Sequence, residues 1–286
     1  MHLDRSRQFN KYGVSLYSQK LDVVNPIPAH THDFSELVII VNGTAEHMIE
    51  NDSYRASKGD IYILLGDIAH CFKNTDTLTV VNIMFDLADL GISVEKLKAL
   101  GGFRALFNLE PRVRKIHKFK SRLKLGYSQL EYLTNLHDDM HNELERGNNY
   151  VAISILIHII THLSNCYEKV TDRQHRSLIN ISRVLNYIEQ NYQTHISLKV
   201  LSEISYMSES TLLRKFHEAL NVNPIQYLQK YRIEKACQLL TNTDMLVTEV
   251  AFEVGFNSLN YFCRYFKKMV GLSPRSFRKI DSCVMS

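Results

Sequence analysis

Hydrophobic and polar positions follow two different periods along the chain, and the change occurs near residue 90. Between residues 14 and 86, short apolar runs and alternating segments follow one another, as in "SELVIIVNGTAEHMI", "SYRASKGDIYILLGD" and "LTVVNIMFDL". Alternation with a period of two, interrupted by Asn-Gly and Lys-Gly-Asp, is typical of short strands joined by tight turns. This part of the chain predicts a sandwich or a small barrel.

From residue 93 onwards the apolar positions follow the helical period instead. Two long amphipathic segments are predicted at about 127–146 and 149–167, separated by a "GNN" turn typical of antiparallel helices. Their apolar stripes must be buried against the β domain or against a second copy of the chain. The polar, non-periodic segment 169–177 predicts a linker, and residues 178–286 again follow the helical period.

Composition and charge narrow the class of protein. The five cysteines are scattered without a CxxC pair, which favours reduced thiols over disulfides or a zinc finger. No apolar run approaches the ~20 residues of a membrane span, and "MHLDRSRQFNK" lacks the apolar core of a secretory signal, so we expect a cytoplasmic protein. Residues 175–286 hold 14 Lys and Arg against 9 Asp and Glu, so this part is the one expected to meet a polyanion.

The basic C-terminal part contains an internal repeat at an offset of 50 residues. "SESTLLRKFHEALNVNPIQY" begins at Ser208 and "SLNYFCRYFKKMVGLSPRSF" begins at Ser258. A short helix and a tight turn precede each copy, with Gly255 in the second turn and Ser205 at the equivalent position of the first. Short helix, turn and second helix form the helix-turn-helix pattern, present here twice.

The second helix of each unit has an apolar stripe and an opposite polar face centred on an arginine. The predicted buried positions are Leu212, Phe216 and Leu220 in the first unit, and Phe262, Phe266 and Val270 in the second. The outward positions are Ser210, Arg214 and His217 in the first unit, and Asn260, Arg264 and Lys267 in the second. Short side chains with an arginine able to contact guanine in two places suit a recognition helix in the major groove.

Polar residues also stand at the predicted N-termini of these helices. Ser208 and Asn257 are predicted to cap them, so that backbone N–H groups face phosphates, and both residues are predicted to contact DNA together with Thr211 and Ser258. Two ordinary helical hairpins are the alternative, but two units in register in the basic part favour DNA binding. A helix of ~25 Å over 224–240 would connect them.

The stretch "HTHDFSELVIIVNG" has the residue types of a metal site. Because alternate side chains of a strand share a face, His30, His32 and Glu36 are able to converge on one ion, or to line a pocket. The pairs His137/His141 and His158/His162 have helical i, i+4 spacing. Each lacks a third ligand, and His158 lies in an apolar run, so we interpret it as an interior histidine.

The repeat resembles the AraC/XylS family of bacterial transcription regulators. The resemblance covers residues 179–280 and includes "LLRKFHEALNVNPIQYLQKYRIEKACQLL" and "VTEVAFEVGFNSLNYFCRYFKKMVGLSPRSFRK". It implies DNA contacts from the following residues: Ser210, Leu213, Arg214, Leu259, Asn260, Cys263 and Arg264. Leu213 and Cys263 depart from the polar residues common at their positions, although an apolar side chain can contact a thymine methyl.

The N-terminal half resembles the cupin sensor domain of the same family, and most of all the L-rhamnose-type regulators. The first cupin motif is matched by His30, His32, Glu36 and Gly43, and the second by Gly59, His70 and Asn74. Leu65-Gly66-Asp67 and Val24 depart from these motifs. The resemblance implies an effector pocket lined by His30, His32, Glu36 and His70 that binds a sugar or another small molecule without a metal cofactor.

These observations predict a two-domain α+β protein. The expected segments are a cupin-like effector-sensing barrel (1–92), a helical dimerisation region (93–168), a linker (169–177) and an all-α domain with two helix-turn-helix units (178–286). We expect a sugar-responsive activator that is no enzyme, with double-stranded DNA, RNA polymerase and a second copy of the chain as partners and no membrane. The alternatives are a metal-dependent cupin enzyme fused to a DNA-binding domain, and a cupin that serves only for dimerisation.

Overall fold

Two compact units make up the chain, one at residues 1–179 and the other at residues 180–286. The first contains a seven-stranded sheet followed by helices, and the described part of the second contains helices only. The predicted two-domain α+β class is therefore confirmed. The computed structural model describes residues 2–4, 8–24, 27–117 and 123–284.

Two long strands organise the sheet. The strands are β1 (His2–Leu3), β2 (Leu16–Val23), β3 (Ile27–His32), β4 (Ser35–Ile49), β5 (Asp52–Ser57), β6 (Ile61–Leu64) and β7 (His70–Phe85). Strands β4 and β7 pair antiparallel over most of their length. At one end they are flanked by β2 and β6, and at the other end by β3 and β5, while β1 pairs parallel with β3.

A bulged segment in β4 joins these two halves of the sheet. The register of β4 against β7 shifts three times between Ile40 and Glu46. Gly43 lies there with φ +76°, and a Cβ atom on it would be 2.3 Å from the carbonyl oxygen of Thr77. The predicted Asn-Gly hairpin turn at Asn42-Gly43 is therefore wrong, because β4 continues through it as a bulge. The predicted turn at Lys58-Gly59-Asp60, between β5 and β6, is present.

Both halves of the sheet contribute to one apolar core. Val38 and Leu64 come from one half, and Ile49, Tyr54 and Phe72 come from the other. All five are buried within a single cluster. Two half-sheets that enclose a common core form the arrangement expected of a sandwich or small barrel.

The elements that follow the sheet are helices, as the helical period of the sequence predicts. In the first unit they are α1 (Val94–Lys98), α2 (Gly101–Phe103), a π-helical segment (Arg104–Leu109), α3 (Glu110–His117), α4 (Tyr127–Glu145) and α5 (Asn149–Glu168). Next come α6 (Arg173–Asn191), α7 (Leu198–Ser205), α8 (Glu209–Leu220), α9 (Pro224–Asn242), α10 (Val247–Glu253), α11 (Leu259–Val270) and α12 (Pro274–Val284). Helix α6 begins inside the segment that the sequence suggests as a linker, 169–177.

Helices α4 and α5 form an antiparallel pair joined at Gly147, as the "GNN" turn predicts. Helix α5 is long and apolar enough, by length and composition alone, to cross a membrane, which corrects the expectation that no segment reaches that length. Such a helix is weak evidence of a span, because core helices of soluble proteins pass the same test. The inner side of α5, including Leu156 and Ile160, is buried within the first unit.

In the second unit, helix α9 connects the two helix-turn-helix units. Its 19 residues correspond to about 28 Å, close to the predicted ~25 Å. The buried guanidinium of Arg232 in α9 donates hydrogen bonds to the carbonyl oxygens of Tyr192 (2.7 Å) and Thr194 (2.8 Å). These bonds satisfy backbone acceptors after α6 and fix α9 against that loop.

Candidate functional site

The second helices of the two helix-turn-helix units, α8 and α11, present the predicted polar faces to solvent. Ser210, Arg214 and His217 are exposed on α8, and Asn260, Arg264 and Lys267 are exposed on α11. The opposite side of each helix is anchored by two fully buried residues, Leu212 with Phe216 and Phe262 with Phe266. Leu220 and Val270, which were predicted to be buried, are only half-buried because each is the last residue of its helix.

Serines cap both helices. The backbone N–H of Thr211 donates to Oγ of Ser208 at 3.3 Å, and that of Tyr261 donates to Oγ of Ser258 at 3.4 Å. The prediction that Asn257 caps α11 is therefore wrong, because the helix begins one residue later. The other first-turn N–H groups of a helix have no intrahelical acceptor, and a phosphate can bind there.

The two arginines differ in their surroundings. Arg214 donates a hydrogen bond of 2.9 Å to Glu218 one turn later, and Lys215 shares that carboxylate at 2.6 Å. The guanidinium of Arg264 lies 5.7 Å from the ring centre of Tyr261. Arg264 thus lies against an aromatic ring, whereas Arg214 is paired with a carboxylate that any other anionic partner would have to displace.

Two other predicted DNA contacts are less accessible. Leu259 and Cys263 are half-buried against the apolar cluster of the second unit, and burial raises the pKa of the Cys263 thiol. Leu213, by contrast, is exposed at 36%. An apolar contact with DNA is therefore open to Leu213 without rearrangement.

In the first unit, the histidines and the glutamate singled out in the sequence form one cluster. Nε2 of His32 lies 3.2 Å, and Nε2 of His70 lies 3.1 Å, from the same oxygen, Oε2 of Glu36. The ring of His30 is 4.2 Å from that of His70. His32, Glu36 and His70 are almost fully buried, and His30 is half-buried. Glu36 comes from β4 and the histidines from β3 and β7, so the cluster joins three strands rather than one.

Backbone carbonyls orient the imidazoles. Nδ1 of His32 lies 2.8 Å from the carbonyl oxygen of Phe34, and Nδ1 of His70 lies 3.2 Å from that of Ile68. Nδ1 of His30 lies 3.0 Å from the carbonyl oxygen of Pro28. A carbonyl only accepts hydrogen bonds, so each Nδ1 carries the proton. In a neutral ring, Nε2 then presents a lone pair, and in His32 and His70 this faces the Glu36 carboxylate. A proton between the nitrogen and the carboxylate oxygen, or a metal ion there, makes that approach favourable.

The charge of Glu36 follows from its neighbours. Burial alone would raise the pKa of this carboxyl, but hydrogen bonding and charge interaction with His32 and His70 outweigh burial and hold its pKa far below the ordinary range. The short distances support this direction, and the interaction is mainly one of charge, because neither contact has good hydrogen-bond alignment. Glu36 is therefore ionised at neutral pH. Burial lowers the pKa of His30, with a further contribution from His70.

Comparison with known protein families gives a match for each of the two units. Residues 12–158, just over half of the chain, match the family described as AraC-like ligand binding domain, and residues 201–280 match a helix-turn-helix domain. The chain belongs to the AraC family of transcriptional regulators. It is a DNA-binding regulator with a ligand-binding domain, as the sequence predicts, and not an enzyme, because this family consists of regulators.

Two curated activators resemble this AraC-family chain over most of its length. It is 24% identical over 257 residues to the HTH-type transcriptional activator RhaS of Enterobacter sp. (strain 638), which covers 88% of this chain and 87% of that protein. It is also 24% identical over 255 residues to RhaR of Escherichia coli O1:K1 / APEC, with the same coverage. The C-terminal domain of the response regulator yesN from Fusobacterium nucleatum aligns with 35% identity over 33% of this chain and 93% of that chain, at a TM-score of 0.32.

Sequence reasoning missed two aromatic residues on the DNA-binding unit of this AraC-family chain. Tyr206, not Ser205, takes the left-handed conformation in the first turn, with φ 53°, and its side chain is 80% exposed. Ser205 instead ends α7 and is buried. Tyr261, 39% exposed, supports Arg264. Tyr261 stands one repeat after Thr211, and that alignment was the available signal.

The paired histidines of the helices also differ from expectation. His158 is exposed and its Nε2 lies 3.0 Å from the hydroxyl of Tyr132, so its interpretation as an interior histidine is wrong. His137 is the buried one, and Nδ1 of His141 lies 3.1 Å from Oγ of Ser18. Among the described residues, one group of three possible metal ligands has its ligand atoms within 4.8 Å of one another, and it is His30, Glu36 and His70 rather than the helical histidines.

Proposed function

We propose that the chain is a transcriptional activator of the cytoplasm that reads DNA with α8 and α11 under the control of a sugar bound in the N-terminal unit. The observation that carries the first part is the pair of exposed, arginine-centred faces on two capped helices. An arginine at the centre of such a helix can bind O6 and N7 of guanine together. Other direct contacts come from the remaining predicted residues: Ser208, Ser210, Thr211, Leu213, His217, Asn257, Ser258, Leu259, Asn260, Cys263 and Lys267.

Binding to an operator selected in vitro from random duplexes tests this assignment. Arg214→Ala and Arg264→Ala should each weaken binding to the selected site by roughly 1–3 kcal/mol and relax its base preference. If both variants keep the wild-type affinity and preference, the two helices do not read the bases.

The effector is proposed to bind in the β unit, where His30, His32, Glu36 and His70 form one wall. A second polar surface supports a sugar as the chemical class: a cavity of about 450 Å³ is lined by Asp22, Asn42, Thr75, Thr77 and Thr79, among other residues. Carboxylate, amide and hydroxyl groups are the partners that sugar hydroxyls need. The resemblance to L-rhamnose-type regulators points the same way.

Thermal unfolding of the full chain with a panel of aldoses and ketoses tests the effector. A sugar that binds only the native state at 100 times its Kd should stabilise the chain by about 2.7 kcal/mol. His30→Ala should abolish the shift if the histidine wall binds the sugar, and Thr79→Val should abolish it if the polar cavity does. If no sugar raises the unfolding temperature, or if both variants keep the increase, the assignment is contradicted.

Regulation is proposed to be a population shift. The effector binds one arrangement of the chain more tightly, and that arrangement holds the recognition helices ready for adjacent half-sites beside RNA polymerase. Reciprocity provides the test: operator DNA must tighten effector binding by the same factor by which effector tightens DNA binding. Equal effector affinity with and without operator would exclude coupling through binding.

A homodimer through α5 is proposed because this helix has an uncharged outer face. Residues 149–167 contain no Asp, Glu, Lys or Arg, and only 39% of the most apolar 18-residue stretch is buried. Tyr150 and Val151 are 91% and 48% exposed. The neighbouring helix α4 exposes Glu131 and Asp139, which disfavours a lipid surface, so a second copy is the occupant that fits.

Sedimentation of the full chain tests the dimer. Val151→Lys should produce monomers at concentrations where wild-type is dimeric, whereas Glu131→Lys on α4 should leave the dimer intact. A wild-type monomer at all concentrations, or binding of wild-type chain to lipid vesicles, contradicts the proposal.

The histidine cluster supports a second candidate, a metal-dependent sensor. The observation in its favour is that the Nδ1–H groups of all three histidines are bonded to backbone carbonyls, and that Nε2 of His32 and of His70 faces Glu36. Metal-bound histidines are oriented by hydrogen bonds of the same kind. His30, Glu36 and His70 would hold the ion. Elemental analysis decides: the metal candidate requires stoichiometric Mn, Fe, Ni or Zn that Glu36→Gln removes, and chain that binds none of these metals even when they are added excludes it.

A further inference from the structure

Helix α5 carries a line of side chains of metal-ligand type that are not part of the histidine–glutamate cluster. His158, His162 and Cys166 stand on successive turns. His158 is exposed, His162 is half-buried and Cys166 is at the edge of burial. Nε2 of His158 is engaged by the Tyr132 hydroxyl at 3.0 Å, whereas Sγ of Cys166 accepts only a longer contact of 3.7 Å from Nε2 of Gln129. His162 and Cys166 are therefore the pair to consider.

The separation of these two ligand atoms matches zinc coordination. Nε2 of His162 lies 3.5 Å from Sγ of Cys166. Bonds of about 2.0–2.1 Å to nitrogen and about 2.3 Å to sulfur, at a tetrahedral angle, separate the two ligands by about 3.5 Å. The pair therefore needs little rearrangement to bind one ion.

Protonation affects the two ligands in opposite directions. Burial lowers the pKa of His162, with contributions from the charges of His158 and Lys169, which favours the neutral imidazole that binds a metal. Burial raises the pKa of the Cys166 thiol, so the thiol must lose its proton to solvent when the metal binds. In the metal-free chain the same two atoms lie at the distance of a thiol–imidazole hydrogen bond, which the metal would replace.

One helix supplies two ligands, whereas a structural zinc site has four. The proposed dimer face supplies the missing pair, because His162 lies on the uncharged outer side of α5. We propose that His162 and Cys166, with the same two residues of a second copy, bind one zinc ion that links two chains; this rests on the proposed dimer. Two thiolates balance the charge of Zn²⁺ and two neutral imidazoles complete the site, so the complex is neutral in an uncharged interface. Two protons are released.

Cobalt titration of the reduced, metal-free full chain tests the site. We expect a thiolate-to-cobalt charge-transfer band that saturates at one cobalt per two chains and disappears when zinc is added. Zinc should also lower the apparent dimer Kd at least tenfold in sedimentation. Cys166→Ser and His162→Gln should lose the charge-transfer band at this stoichiometry and the effect of zinc, while Cys237→Ser, a half-buried cysteine of α9, should keep both. The histidine–glutamate cluster offers only nitrogen and oxygen and gives no thiolate band.

Three results would overturn the site: no charge-transfer band in wild-type, a band that survives Cys166→Ser, or saturation at one cobalt per chain without a change in association. Unfolding of the metal-free variants must match that of metal-free wild-type, and His162→Gln provides the second route if Cys166→Ser is unstable. A chain that is dimeric in chelator and indifferent to zinc removes the zinc site and keeps the dimer. A chain that is monomeric with and without zinc removes both.

Discussion

The different surroundings of Arg214 and Arg264 predict unequal contributions to DNA recognition. A two-point contact between arginine and guanine is worth about 1–3 kcal/mol, or roughly 5- to 150-fold in affinity. Arg214 must first leave Glu218, and the two side chains are 59% and 33% exposed, so that ion pair is worth only about 0.2–1 kcal/mol. Arg264 pays no such cost, since it packs on Tyr261. Arg264→Ala should therefore weaken specific binding more than Arg214→Ala, by up to about 1 kcal/mol.

Fluorescence anisotropy at one fixed salt concentration measures the difference, with the selected operator and a scrambled duplex. Lys267→Ala is the control, because we expect this lysine to contact a phosphate, and the loss of a phosphate contact weakens binding to both duplexes alike. The reasoning fails if the two arginine variants reduce affinity for both duplexes equally, or if Arg214→Ala proves the more damaging change.

Glu218→Gln tests directly whether the ion pair restrains Arg214. Freeing Arg214 should tighten operator binding by about 0.2–1 kcal/mol, up to roughly fivefold. A double-mutant cycle separates this effect from the general loss of a negative charge near DNA. If Glu218→Gln tightens binding equally in the Arg214→Ala background, the ion pair does not restrain the arginine.

Two further predictions concern the β unit. The folded-state pKa of Glu36 lies below its unfolded value, so ionisation of Glu36 stabilises the fold fully above about pH 4.3. This contribution is lost progressively as the pH falls further. In urea unfolding, Glu36→Gln should be less stable than wild-type at pH 7 and closer to wild-type at pH 3. Gly43→Ala should cost at least ~2 kcal/mol, because strain at φ +76° adds to the contact with Thr77, whereas Gly147→Ala, at the same φ with open space around it, should cost about 1–2 kcal/mol in the same assay. Equal costs would show that the contact with Thr77 relaxes freely.

Local patterns predicted the helices of the first unit well, because apolar spacing reports which face is buried. The same kind of evidence failed at Asn42-Gly43. An Asn-Gly pair is typical of both a hairpin turn and a bulge, and the choice between them depends on Thr77 and its neighbours in β7, more than 30 residues away. Information of that range is absent from a local window.

The histidine cluster was predictable in part. Alternation places His30 and His32 on one face of β3, but Glu36 belongs to the next strand, and His70 entered only through the resemblance to cupins. Nothing in the local sequence indicates that Nδ1 of each histidine binds a carbonyl. The repeat alignment likewise placed Ser205 opposite Gly255, whereas the first turn is one residue shorter on its C-terminal side and uses Tyr206.

The long strands β4 and β7, which run through both halves of the sheet, have a consequence for folding during synthesis. Strand β2 pairs with the far end of β7, so Leu16 finds its partner Phe85 only after about 70 further residues have been added. The sheet therefore cannot close until β7 has been translated, and its earlier apolar strands remain unpaired until then. The helices of the second unit make mainly local contacts and should fold quickly once they emerge. Synonymous changes that slow translation just after β7 should raise the yield of soluble chain, whereas the same changes after α9 should not.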